Sequence, residues 1–246
     1  MSAQAAADEV VLRLQALGRD RLEEMAAAGN EILECYRVLV KGGTNLVAEV
    51  LKGQGTFYEW DHYPEGDAFD AETYSQYYYH AHRSSTGEHG HFHIFLRAGA
   101  FPAGMTPLEN DGDVDWPQGD EALTHLVAIS MDKYGFPTNF FTTNRWVTGE
   151  TWYNGADVIG ILDRFNMDHC YPSWPVNRWM TAMIRLFRPQ IEDLILERDR
   201  VVAEWRGNGG RALASVLEDR NLEIISIADI DVDRQIAAVE QALAAV

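Results

Sequence analysis

Five of the eight histidines in this 246-residue chain, His80, His82, His89, His91 and His93, fall within one short stretch. Four of them make two His-x-His units, His80-Ala81-His82 and His91-Phe92-His93. Tyr77, Tyr78 and Tyr79 precede the first unit and Ile94 and Phe95 follow the second, all residue types that favour a pleated backbone. Between the units, Ser84-Ser85-Thr86-Gly87 is turn chemistry. The pattern predicts a β-hairpin with two histidine-bearing strands. Side chains alternate along a strand, so each unit presents both rings on one face. With a turn over residues 84–89, His82 would pair with His91 and His80 with His93, giving a two-by-two block of imidazoles. Cross-strand Cβ atoms about 4.5–5.5 Å apart let two or three such rings share one ion. A slip of one residue would send one unit to the opposite face and break the block.

Imidazole accepts iron, zinc and copper alike, so the predicted cofactor is a transition metal ion (Fe, Zn or Cu) held by His80, His82, His91 and His93. Two histidines and one carboxylate would suit a non-haem iron oxygenase, the carboxylate being Glu88, Asp61 or Glu65. Three histidines with an open position would suit zinc-assisted hydrolysis or hydration. Tyr78 and Glu88 are the candidates for proton transfer. Thr142 to Trp152 supplies Arg145 as the candidate grip on an anionic substrate, with Asn144 and Glu150 as polar contacts and Trp146 and Trp152 as apolar walls. The same residues also fit a scaffold without chemistry: histidines stacked on tyrosines, an Arg145–Glu150 pair, and two core tryptophans.

Two resemblances bear on these residues. His80, His82 and Glu88 resemble the cupin motif, in which His-x-His is followed by a glutamate on an antiparallel barrel; the gap to Glu88 is longer than that motif has. His89-Gly90-His91-Phe92-His93-Ile94-Phe95 resembles the signature of the histidine-triad nucleotide hydrolases and transferases. That resemblance implies His91 as a nucleophile towards phosphate, with His89 and His93 in support, although Gly90 stands where the family has an apolar residue.

Composition narrows the partners. A net charge of −18 repels nucleic acid and anionic membrane and leaves a small molecule as the expected substrate. Cys35 and Cys170 are the only cysteines and are far apart in sequence, so neither a disulfide framework nor a cysteine zinc knuckle is expected, and reduced thiols fit a cytoplasmic protein. No secretory signal and no bilayer-length apolar run is visible. Asp111-x-Asp113-x-Asp115 begins like a calcium loop, but Trp116 and Ala122 stand where that loop needs glycine and glutamate.

The elements that must position the histidines follow from periodicity and punctuation. Residues 3–28 read as a helix interrupted near Gly18, with Gly29 as a stop and Asn30 capping a second helix, Glu31 to Lys41. Thr44 caps a short helix to Leu51. Thr56 to Trp60 reads as a strand, 61–72 as an acidic loop, 98–121 as a long loop, and His125–Met131 with Asn139–Thr143 as a strand pair. Helices are expected over Ala156–Met167, Pro175–Leu186 and Pro189–Trp205, then a late strand over Leu222–Ile230 and a final helix capped by Asp231 or Asp233. The expectation is an α+β fold in one domain: a helical segment (1–52), a mainly antiparallel sheet of about five strands carrying the site (53–152), and a helical segment with one late strand (153–246). Function is expected to be metal-dependent oxidation or hydrolysis of a small molecule. A histidine-triad-like transferase using His91, and a metal carrier or interaction protein, are the alternatives.

Overall fold

The computed structural model describes residues 10–83, 87–207 and 210–246. It is an α+β fold with helices at both ends of an antiparallel sheet of six strands: β1 (Tyr63–Phe69), β2 (Ser75–His80), β3 (Gly90–Arg97), β4 (Leu123–Met131), β5 (Pro137–Thr143) and β6 (Ile224–Asp229). Spatial order equals chain order, and every neighbouring pair is antiparallel. The sixth strand is the late segment, which returns after the C-terminal helices to pair with β5.

One face of the sheet carries the core. Tyr77 and Tyr79 of β2, Phe92, Ile94 and Leu96 of β3, and Phe140 of β5 pack with Trp179, Met183 and Phe187 of the following helices. Phe92 sits at the centre, in ring contact with Tyr77, Tyr79 and Trp179. All six residues of β2 and seven of eight in β3 are buried, so both faces of the hairpin are covered. That is why its sequence reads as a continuous apolar and aromatic run on one register and as histidines on the other.

Three expectations are corrected. Gly29 does not stop a helix: Arg19–Lys41 is unbroken, and the glycine is buried against the final helix, Val232–Ala244. A Cβ at Gly29 would come within 2.9 Å of Ile236 Cγ1, so the missing side chain serves close helix approach. Asn30 is therefore mid-helix, and Asn45, not Thr44, caps the short helix Leu46–Leu51 by accepting from Ala48 N–H. Thr56–Trp60 is not a strand. Trp60 lies in the left-handed region (φ 76°), and the first strand instead occupies Tyr63–Phe69, within the predicted acidic loop. As an edge strand with one neighbour, β1 tolerates Glu65 exposed and a large bulge between Tyr63 and Ala68.

Other expectations hold more closely. The break near Gly18 is present, and Asp231 caps the final helix through Arg234 N–H. Ala156–Met167 is shorter than expected, a helix at Gly155–Ile161 continued by a 3-10 turn, while Trp174–Leu186 and Arg188–Arg206 match. The expected helix over residues 3–9, turn residues 84–86, and 208–209 lie outside the described residues. Among the described residues, no helix is long and apolar enough to cross a membrane.

The start of β3 leaves no room for a side chain. A Cβ on Gly90 would meet the Tyr79 hydroxyl and come within 2.6 Å of the His80 carbonyl oxygen. Gly90→Ala is therefore expected to destabilise the fold by about 2 kcal/mol, read as a lower urea midpoint with an unchanged slope. An unchanged midpoint would mean that the packing around Gly90 yields easily.

Candidate metal centre

The register of the hairpin decides which rings meet. His80 pairs with His91 and Tyr78 with His93, a shift of two residues from the expected pairing of His82 with His91. β2 ends at His80 because the chain beyond it is drawn aside: Ala81 accepts a hydrogen bond from Trp60 N–H, and His82 stacks on the Trp60 ring at 4.3 Å. A two-residue shift preserves the side-chain alternation, so the histidine face survives.

His80, His91 and His93 are all buried, and one ligand nitrogen from each lies within 4.8 Å of the others. His80 Nε2 and His91 Nε2 are 2.7 Å apart. His82 stands beside this trio, with its ring centroid 4.9 Å from His80 and 5.0 Å from His91, but it is half-buried and faces the opening. The trio therefore forms the inner set and His82 the rim.

Each inner histidine is oriented from behind. Glu88, held by the Ser130 hydroxyl through Oε2, accepts from His91 Nδ1 at 2.6 Å through Oε1. A carboxylate can only accept, so His91 carries its proton on Nδ1 and leaves the Nε2 lone pair facing His80. His93 Nδ1 is 3.0 Å from His125 Nε2, and His93 Nε2 is buried without a hydrogen-bond partner among the described residues. An unpartnered buried nitrogen costs roughly 1–3 kcal/mol, a loss that coordination would remove. Burial pushes His80 down to about 2 and His93 well below the usual imidazole range, with neighbouring imidazoles adding to both effects. His80 and His93 are accordingly neutral, the form that ligates. Burial raises the Glu88 carboxyl, but the His91 hydrogen bond and other nearby partners outweigh it and hold Glu88 ionised.

His125 is the member that sequence reasoning missed. Along an unbroken β4 it would face the helices. A register shift between Ile94 and Phe95 places it opposite Phe95, on the histidine face, which is a re-aiming that bulges commonly perform. Its backbone N–H donates to Glu150 at 2.6 Å. Glu150 is fully enclosed, and burial pushes its carboxyl up to about 7 despite the opposing charge of Arg198. An isolated histidine in an apolar strand carries no local signal for such a role.

The other predicted residues divide. Tyr78 shares the histidine face, with its ring 5.1 Å from His93 and stacked at 3.6 Å on His62. Glu88 reaches the centre through His91. Arg145 is brought elsewhere: it is buried in an ion pair with Glu218, donates to the Asp115 carbonyl, and lies over the Trp116 ring. Asn144 caps the turn of helix Arg145–Thr148, and Trp152 belongs to a second apolar cluster with Trp116 and Leu217. His89 is separated from His91: it hydrogen-bonds the Tyr79 hydroxyl at 2.6 Å, and Tyr79 packs on the helix side against Phe92. Asp61 and Glu65 are both exposed.

Residues 26–230 match a family described as a domain of unknown function, DUF6969, over more than four-fifths of the chain. The chain belongs to the DUF6969 family. No curated protein and no solved structure matches it. All six strands, and with them the trio, Glu88 and His125, fall inside the DUF6969 match. In this chain, then, a buried histidine group that could hold a metal ion lies within the matched region.

Proposed function

We propose that this protein is a metal-dependent enzyme acting on a small molecule, with one transition metal ion held by His80, His91 and His93. The observation that carries this reading is the convergence of three buried imidazoles, one of them with a nitrogen that has no other partner among the described residues. The donor set fits the group: iron, zinc and copper all accept imidazole. His80, His91 and His93 would each hold the ion through one imidazole nitrogen.

Hydrolysis or hydration is favoured over a two-histidine, one-carboxylate oxygenase, because both Glu88 oxygens are already engaged, by His91 and by Ser130. When bound, the ion would supply Lewis acidity at neutral pH. Glu88 fixes the His91 tautomer and makes that ring a better donor. His125 does the same for His93. Tyr78 and His82 stand where a proton could be exchanged with substrate, and the surrounding aromatic rings exclude water. Arg145, tied to Glu218, stiffens the segment that carries Trp146.

Metal analysis of protein purified without a tag tests the reading. A transition metal near one equivalent supports it; metal-free protein that hydrolyses a nucleotide phosphoramidate and loses activity in His91→Ala would replace it with the histidine-triad alternative. A full complement of metal with no open coordination position would favour a carrier. The separation of His89 from His91 weighs against the triad. Removing the carboxylate behind His91, in Glu88→Ala, is expected to weaken metal affinity about 10–100-fold, measured by competition with a chromogenic chelator. Unchanged affinity would mean that His91 is held by packing alone.

A further inference from the structure

A cleft of about 200 Å³ opens beside the trio, and His80 forms part of its wall. Its other lining includes Trp60, His62, Tyr78, His82, Trp146 and Glu223. The rings are not loosely arranged. Trp60 stacks on His82, His62 stacks on Tyr78, and His62 meets His80 edge to face. Trp146 is held by a hydrogen bond from its indole N–H to the Leu222 carbonyl at 2.9 Å. Glu223 follows directly in the chain, and no ion pair or hydrogen bond engages its side chain among the described residues. Among the described residues, no lysine or arginine lines the cleft.

We infer that this cleft binds a small organic cation, an ammonium-bearing molecule whose charged head sits between the aromatic walls and the Glu223 carboxylate. Aromatic faces attract cations through their quadrupole, and a desolvated aromatic box with one acidic edge is the arrangement that selects alkylammonium groups over neutral or anionic ones. The wall already shows this chemistry: the Arg220 guanidinium lies 4.3 Å from the centre of the Trp146 ring. A net charge of −18 adds attraction at long range. Trp60 supports the assignment independently. It is 67% exposed, yet held in the left-handed region by its bond to Ala81, an uncommon conformation for a bulky residue. Backbone held in this way at the mouth of a cleft is characteristic of a ligand clamp.

The inference rests on the proposed function only in making this cation the substrate of the metal centre; the box itself needs no metal. Tryptophan fluorescence and calorimetric titration with choline, its neutral isostere 3,3-dimethylbutan-1-ol and acetate test it, on metal-loaded and chelated protein in parallel. Choline is expected to bind at least roughly tenfold more tightly than the neutral isostere in both preparations. Glu223→Gln and Trp60→Ala should each weaken choline by a similar factor while leaving the near-ultraviolet circular dichroism intact. Equal binding of choline and the isostere, preference for acetate, or indifference to Glu223→Gln would overturn it. Protein that takes up no metal yet still binds choline selectively would remove the metal reading and leave the cation pocket standing.

Discussion

Replacing His80 and His93 together by alanine is expected to cost the protein its metal, with affinity falling by at least about 100-fold. Loss of a supporting contact behind a ligand already costs 10–100-fold, and removal of two of three ligands must cost more. The expected wild-type result is close to one equivalent of metal and a melting temperature that falls on chelation. An ion present at 100 times its dissociation constant stabilises the native state by about 3 kcal/mol. The double variant should melt at one temperature with or without chelator. That comparison separates ligand loss from simple damage to the fold, because truncating two buried rings lowers stability whether or not metal binds. A variant that kept its metal, or a wild type whose melting ignored chelator, would remove His80 and His93 from the ligand set.

The second large effect is acid sensitivity of the metal-free protein. Burial holds His80 down to about 2 and His125 to about 3, and His93 well below the usual range. An unfolded chain protonates these rings near 6.5 while the folded chain keeps them neutral, so the unfolded state binds more protons below that pH. Stability is therefore full above about pH 6.5 and falls as pH drops towards the folded values. Between pH 7 and pH 5 His80 and His125 each cost about 2 kcal/mol, and His93 adds to the loss in the same direction. Glu150 works in the opposite direction. Its carboxyl is raised to about 7 by burial, so it takes up a proton in the folded state first and returns about 2 kcal/mol over the same window. The net loss, about 2 kcal/mol before the His93 contribution is added, is a substantial share of an ordinary domain's stability of roughly 5–15 kcal/mol. Urea midpoints at pH 7 and pH 5 on chelator-treated protein measure it. A midpoint that stays level or rises on acidification would show that the rings gain protons without opening the fold. In Glu150→Gln the offset should vanish and the fall should steepen.

The hairpin illustrates how far local pattern reaches. Histidines on alternate residues, flanked by tyrosine, phenylalanine and isoleucine, place their rings on one side of a sheet in any register that slips by an even number of residues. The structure differs from the expected pairing by two, so the face was right although the partners were not. His82 fell out of the inner set because a contact with Trp60, more than twenty residues earlier in the chain, draws it aside.

By itself the chain determined its class of fold, the site-bearing hairpin, the later helices and the imidazole-rich face, because each follows from alternation, helical spacing or capping within a few residues. Tertiary structure alone decided that β1 lies in the acidic stretch, that Gly29 is a packing contact, that a bulge in β4 swings His125 behind His93, and that Arg145 is occupied by Glu218. The physical reason is common to all four. Each depends on which distant surface covers a residue, and burial between segments tens of residues apart leaves no periodicity in either one.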